Sequence, residues 1–244
     1  MSFESIMEFL KDNEAAFLWS LTALFILGLI VLIVVAFKSE KKIENRHNKV
    51  KKLTAISMLA ALSVVLYYFV KFPISFLLPF IPNFLDIQFS NVPIYIGGYM
   101  FGPIAGTIIA VIRFVVKLPG SSTLGVGELA DLLIGLVTVL VSSMMYQRNK
   151  TKKTAIKASI WIVVLWVVVG TIANWLIILP FYIYMYTFEG VFGMLQVIPG
   201  ITADNYMLYY LFIAIIPFNL ILATLVSGIT FLLYKRLSII YEKA

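Results

Sequence analysis

The sequence predicts an all-α integral membrane protein, a bundle of six helices preceded by one extra N-terminal transmembrane helix. Of its 244 residues, 61% are hydrophobic and 13% are charged, and the mean hydropathy is +0.99. A soluble domain typically has about 45–50% apolar and about 25% charged residues. Long apolar runs also alternate with short basic blocks, which is typical of helices that cross a bilayer.

The first apolar run extends from Ala16 to Phe37 and is long enough to cross the membrane, since about 20 helical residues span the hydrocarbon core. An acidic leader precedes it and the basic segment Lys38 to Lys52 follows it. This order of charges is the reverse of that in a signal peptide. Because basic loops stay inside, we expect residues 1–51 to comprise an extracellular leader, a membrane helix and a cytoplasmic loop, and residues 52–244 to form the six-helix domain.

The second span, Leu53 to Val70, runs outward, and the next apolar stretch, Val92 to Leu118, is predicted to be a hairpin of two short helices. A single helix there would place the basic residues 148–157 outside, against the charge rule. Gly102-Pro103 favours a break, because proline lacks a helix donor. Such broken segments are tolerated where they line protein or a cavity.

Three further spans, Leu124 to Tyr146, Ala155 to Tyr182 and Tyr209 to Tyr234, complete the predicted bundle and leave the C-terminus cytoplasmic. The two outer loops, Phe72 to Asn91 and Tyr184 to Asn205, are long and rich in aromatic residues. Such loops either close over a site as lids or pack against lipid headgroups. The sequence leaves both alternatives open.

Four ionisable side chains interrupt the apolar region between residues 92 and 146: Arg113, Lys117, Glu128 and Asp131. Charged groups inside a membrane are costly and usually face the protein interior or a cavity. The basic residues lie four apart and the acidic residues three apart, so each pair shares a helix face. They form a structural ion-pair network, a site for a polar ligand, or both.

Two amides, Asn174 and Asn219, lie within apolar segments. An amide offers a donor and an acceptor and suits the edge of a planar ring, although hydrogen bonding between helices is the alternative. Trp175 adjoins Asn174 and is the aromatic residue that we expect to stack on a ligand. Trp161, Trp166 and the tyrosines between 182 and 210 are further candidates, but aromatic belts at the membrane interface use the same residue types.

Other function classes have little support. The chain has no cysteine, which excludes disulfides and thiolate metal sites, and its single histidine, His47, supplies only one ligand within a basic loop. We therefore expect no metal. The phosphate-binding loop of ATPases and the familiar hydrolase motifs are missing. The net charge of +7 is concentrated beside the spans, which favours lipid headgroups over nucleic acid.

Four ordered motifs resemble those of the riboflavin-binding S component of energy-coupling factor (ECF) transporters. They are FSNVPIYIGGYMFGPIAG (89–106), GVGELADLLIG (125–135), NWLIILP (174–180) and IPFN (216–219). The resemblance covers about residues 52–236, and the leading helix lies outside it.

The resemblance implies a membrane subunit that captures riboflavin, or a related flavin such as FMN, outside the cell for ATP-driven uptake. The implied partners are a membrane coupling protein and two cytoplasmic ATPases, and the subunit is thought to topple in the membrane. Ser57 and Ala61 occupy the place where small residues of the family face the coupling protein. The resemblance implies no enzymatic activity and no cofactor, since the flavin is the transported ligand.

The resemblance also implies a flavin pocket toward the outer side. We expect Asn174 and Asn219 to hydrogen-bond the ring system, while Glu128 and Asp131 order the site or bind the ribityl hydroxyls. The predicted set is completed by Trp175, Arg113 and Lys117.

Two positions depart from the family's pattern. Leu222 stands where flavin-binding members typically have lysine, and Asp131 stands where they commonly have asparagine. Both changes remove positive or neutral polar character, for which Arg113 or Lys117 is the candidate to compensate. The ligand is therefore riboflavin, a phosphorylated flavin or a related heterocycle. The other hypotheses are an S component for a different vitamin, a membrane enzyme that uses Glu128 or Asp131, and a scaffold without a ligand.

Overall fold

The part of the chain that the structure describes is almost entirely helical. The structure is a computed structural model that describes residues 27, 30–38, 46–121 and 123–243. Its helices are α1 (Arg46–Phe69), α2 (Val92–Phe101), α3 (Pro103–Lys117), α4 (Val126–Arg148), α5 (Lys152–Ala173), α6 (Leu179–Leu195), α7 (Tyr206–Tyr209) and α8 (Ile216–Lys243). Five helical stretches of these residues are long and apolar enough to cross a membrane, which confirms the predicted all-α membrane fold.

The predicted N-terminal span, Ala16 to Phe37, falls largely outside the described residues. Residues 30–38 are helical and mostly exposed. Helix α1 begins at Arg46, seven residues before the predicted start, within the segment expected to be a basic loop. Lysine and arginine are good helix formers, so the basic segment extends the helix. The division at residue 52 stays a prediction.

The predicted break between α2 and α3 is confirmed. Gly102 has φ 104° and ψ 168°, a backbone conformation that favours glycine, and Pro103 opens α3. Helix α2 is almost wholly buried against α3, α4 and α8. At Gly98 an added Cβ would lie only 2.8 Å from Val139 Cγ2 of α4, so glycine permits this close packing.

Helices α5 and α6 belong to one apolar stretch of 44 residues. A π-helical turn at Asn174–Ile178 and a kink at Thr187 (φ 63°, ψ 162°) interrupt it. A second π-helical turn, Tyr210–Ile215, joins α7 to α8. The loop predicted from Tyr184 is thus helical as far as Leu195, because no proline occurs between residues 180 and 199 to end the helix.

The other outer loop contains two short strands that the all-α prediction did not include. Strand β1 (Lys71–Pro73) pairs antiparallel with β2 (Asp86–Gln88), and we call residues 71–88 the outer strap. Three-residue strands are too short for their alternation to be recognised in a sequence. Three isoleucines of the strap, Ile74, Ile81 and Ile87, are fully buried, so the strap is packed onto the bundle.

Candidate ligand-binding site

A cavity of about 210 Å³ lies between the outer strap and the bundle. Its polar lining includes an amide group, Asn174 and Asn219, and an ionic group, Lys117, Glu128 and Asp131. Its aromatic lining comes from Tyr67, Phe84, Trp166, Tyr182, Tyr210 and Phe218. Mostly apolar walls with a few convergent polar groups are typical of small-molecule sites.

Asp131 is the centre of the ionic group. Its Oδ2 atom lies 2.8 Å from Lys117 Nζ and 3.1 Å from Arg113 Nη2, while Asn91 Nδ2 donates to its Oδ1 atom at 3.3 Å. The four-residue spacing of the two cations along α3 brings both to one carboxylate. A buried charge is tolerated only when it is paired and hydrogen-bonded, and Asp131 meets both conditions.

Arg113 lies behind the cavity wall. Its side chain is 1% exposed, and its Nη1 atom donates to Ser90 Oγ at 2.8 Å and to Asn91 Oδ1 at 3.1 Å. These bonds join α3 to the segment that enters α2. Arg113 therefore supports the ionic group without lining the cavity.

Glu128 is held by neutral donors. Ser121 Oγ donates to its Oε2 atom at 2.6 Å, Thr123 Oγ1 donates to the same atom at 2.8 Å, and the Tyr67 hydroxyl lies 3.4 Å from Oε1. Lys117 Nζ lies 3.7 Å above the centre of the Tyr67 ring, a cation–π contact. Since a carboxylate has about four acceptor sites, Glu128 can also accept from a ligand hydroxyl.

The Asn219 amide bridges two helices. Its Oδ1 atom accepts from Trp166 Nε1 of α5 at 3.0 Å, and its Nδ2 atom donates to the Ile215 carbonyl at 2.9 Å. Gly170 of α5 makes room for it, since an added Cβ would lie 2.9–3.0 Å from the amide atoms.

Asn174 is placed by the π-helical turn that it begins. Its Nδ2 atom donates to the Gly170 carbonyl at 2.8 Å, and its Oδ1 atom accepts from the Tyr210 hydroxyl at 2.8 Å. Tyr210 begins the second π-helical turn. Single π-helical turns are frequent at functional sites.

Each amide keeps part of its hydrogen-bonding capacity. An amide has two N–H donors and two oxygen lone pairs, and the protein uses one of each at Asn174 and at Asn219. One donor and one acceptor therefore remain at each residue. This pattern matches a planar heterocycle whose edge carries both carbonyl and N–H groups.

The outer strap contributes polar and aromatic groups at the other side of the cavity. Lys71 Nζ lies 3.8 Å from Asp86 Oδ2, and burial raises the pKa of the Asp86 carboxyl while Lys71 opposes the shift. The Phe84 ring lies 6.4 Å from the rings of both Tyr182 and Tyr210. The strap thereby connects with α6 and the second π-helical turn.

The structure brings five of the predicted site residues together at the cavity: Lys117, Glu128, Asp131, Asn174 and Asn219. It does not bring Trp175 there, since that side chain is 39% exposed and Trp166 lines the cavity instead. Trp166 and Trp175 are nine residues apart, which places them on opposite faces of a regular helix. Proximity to Asn174 in the sequence therefore did not predict which way the Trp175 side chain points.

Two residues that contact the polar groups were not predicted from the sequence, and three positions that the sequence did single out can now be located. Tyr67 and Gly170 touch the polar groups, but no motif marks either of them. Leu222 lies in the cavity wall and is 2% exposed, so the departure at this position falls within the site. Ser57 and Ala61 are exposed on α1 and do not line the cavity.

Comparison with known proteins identifies the family. The model of "ECF transporter, substrate-specific component" matches residues 51–234. The chain belongs to this family. It is thus an S component, a transporter subunit rather than an enzyme, and its helices make it a multi-pass membrane protein.

Three similarities support this identification. The S component is 32% identical to "Riboflavin transporter RibU" of Staphylococcus aureus, covering 81% of this chain and 95% of that protein. It is 26% identical to "Riboflavin transporter FmnP" of Bacillus subtilis, covering 78% and 93%. A solved structure, described as "Structure and mechanism of the S component of a bacterial ECF transporter", is 31% identical, with a TM-score of 0.59 and coverage of 78% and 96%.

Proposed function

We propose that this S component captures riboflavin, or a related flavin such as FMN, outside the cell for ATP-driven uptake. The observation that carries the proposal is the pair of amides, Asn174 and Asn219, which face one aromatic-lined cavity with unused donors and acceptors. The names of the relatives, which are riboflavin transporters, support the same cargo.

The flavin ring lies against the amide group in this proposal. The edge of the ring that carries carbonyl and N–H groups hydrogen-bonds Asn174 and Asn219, and neighbouring rings such as Trp166 and Phe218 pack beside it. The ribityl hydroxyls reach the ionic group, where Glu128 keeps acceptor capacity and Asp131 is held in place. The flavin is cargo rather than a cofactor.

The transport cycle requires partners, because the sequence has no phosphate-binding loop of its own. We assign ATP hydrolysis to two cytoplasmic ATPases, linked to this chain by a membrane coupling protein. The exposed small residues Ser57 and Ala61 of α1 are our candidates for that contact, since small residues let another helix approach closely. The N-terminus lies outside and the C-terminus in the cytoplasm.

Riboflavin titration of the purified full chain in detergent tests the proposal. Flavin fluorescence is quenched when the ring stacks on aromatic side chains, so we expect saturable quenching at nanomolar to micromolar riboflavin. A folded preparation that ignores riboflavin and its phosphorylated forms would contradict the proposal. The absorbance spectrum of the preparation shows at the same time whether a flavin co-purifies.

Leu222 favours one second candidate, an S component for a different vitamin. This side chain gives the cavity an apolar wall one turn after Asn219, where flavin-binding members typically have lysine. A panel of other water-soluble vitamins, tested by the shift in melting temperature that each causes, separates the two candidates.

A further inference from the structure

The charges around the cavity are balanced. Three carboxylates line it, those of Asp86, Glu128 and Asp131, and two ammonium groups line it, those of Lys71 and Lys117. Arg113 behind the wall supplies the third positive charge. The six groups therefore sum to zero when all are ionised.

Every one of the three cations has a carboxylate partner. Lys117 Nζ lies 2.8 Å from Asp131, Arg113 Nη2 lies 3.1 Å from the same carboxylate, and Lys71 Nζ lies 3.8 Å from Asp86. Among the residues that the structure describes, the buried cations Lys117 and Arg113 are both held by Asp131, and the exposed Lys71 is the one wall cation that is only loosely paired.

The usual backbone site for an anion is also filled. Anions bind at helix N-termini, where free N–H groups and the helix dipole attract them. Helix α4 begins at Val126 beside the cavity, and the Glu128 carboxylate already occupies its first turn. The hydroxyls that a phosphate would recruit there, those of Ser121 and Thr123, donate to Glu128 instead.

We infer that this cavity selects an uncharged cargo over its phosphorylated form, so that riboflavin binds more tightly than FMN. The inference rests on the proposed function and narrows it. A phosphate monoester carries a charge of about −1.5 to −2 at pH 7. Such a group would meet the Glu128 and Asp131 carboxylates without a free cation, whereas ribityl hydroxyls are neutral and can donate to both.

The test compares three ligands on the native full chain: lumiflavin, riboflavin, and FMN freed of riboflavin. We expect FMN to bind at least about tenfold more weakly than riboflavin, because its phosphate would lose hydration beside the Glu128 and Asp131 carboxylates without gaining an unpaired cation. Lumiflavin, which has no tail, gives the affinity of the ring alone.

Two Glu→Gln substitutions test whether the discrimination between riboflavin and FMN arises in the cavity. Glu128→Gln removes a negative charge from the cavity and should narrow the ratio of FMN to riboflavin dissociation constants at least about threefold. Glu189→Gln removes one from the exposed part of α6 and should leave the ratio unchanged.

The outcomes separate this inference from the proposed function. FMN affinity above riboflavin affinity, or less than about tenfold below it, in the native chain overturns the inference alone, as does a ratio that a folded Glu128→Gln protein leaves unchanged. Failure of every flavin to bind removes the proposed function and the inference with it. If Glu128→Gln does not fold, the comparison of FMN with riboflavin on the native chain still decides the inference.

Discussion

At the level of single residues, the position of Asn219 depends on two neighbours in α5. Trp166 donates to its oxygen, and Gly170 leaves the space that the amide occupies. The polar edge of the cavity is thus set by a tryptophan and a glycine that contact Asn219 from one helix. Replacing any of the three changes how the amide is presented to a ligand.

We expect Asn219→Leu to weaken riboflavin binding at least about tenfold, which corresponds to the loss of one to two hydrogen bonds. The protein should stay folded, because leucine fits an apolar bundle. Fluorescence quenching measures the affinity, and Asn149→Leu, at an exposed position next to α5, is the control. Unchanged affinity in a folded Asn219→Leu protein would remove this residue from the site.

Gly170→Ala tests the positioning of Asn219 without touching its chemistry. The new methyl group would lie 2.9–3.0 Å from the amide and must displace it, so we expect riboflavin binding to weaken about fivefold to tenfold. Gly228→Ala is the matched control, since nothing lies within 4 Å of its added Cβ. Equal effects of the two substitutions would refute a positioning role for Gly170.

At the level of elements, the ionic group ties α3 to α4. Arg113 and Lys117 belong to α3, and Asp131 belongs to the second turn of α4. The single carboxylate pairs with both cations, which would otherwise be buried without an ionic partner. Removing one partner from a buried ion pair is far more costly than removing an exposed charge.

Asp131→Asn should therefore lower the free energy of unfolding by about 3–5 kcal/mol. Asp204→Asn, at an exposed position, should change it by less than about 0.5 kcal/mol. Thermal unfolding in detergent compares the two variants with the native chain. If Lys117→Met restores part of the stability of Asp131→Asn, the unpaired cation is the cause, and a purely additive double variant would argue against it.

The sequence predicted the elements far better than the contacts between them. Hydropathy and charge located the long spans, and Gly102-Pro103 located the break, because both depend on local composition. No periodicity in the sequence reveals the π-helical turns that begin at Asn174 and Tyr210, or the three-residue strands. The pairing of Trp166 with Asn219 joins residues 53 positions apart, and only the packing of α5 against α8 brings them together.

At the level of the whole molecule, the basic loop segments and the ligand site lie at opposite ends of the bundle. The basic loop between α4 and α5 and the basic residues near the end of α8 mark one end. The outer strap and the cavity mark the other. Since positive charge usually stays on the cytoplasmic side, the proposed topology places the cavity toward the outside.

Single cysteines test this orientation cleanly, because the chain has no cysteine of its own. Phe76→Cys places a thiol on the exposed part of the strap, and Lys150→Cys places one in the basic loop. In intact cells a membrane-impermeant maleimide should label the first and reach the second only after permeabilisation. The reverse pattern would invert the proposed topology.

The size of the cavity has a kinetic consequence. Its 210 Å³ is below the range of about 300–1,000 Å³ in which drug-sized ligands are usually held, so we expect the site to widen when a three-ring flavin binds. A conformational change that is required for binding lowers the association rate below the diffusion limit. Flavins that differ only in their tails should arrive at similar rates, and selectivity should appear as residence time.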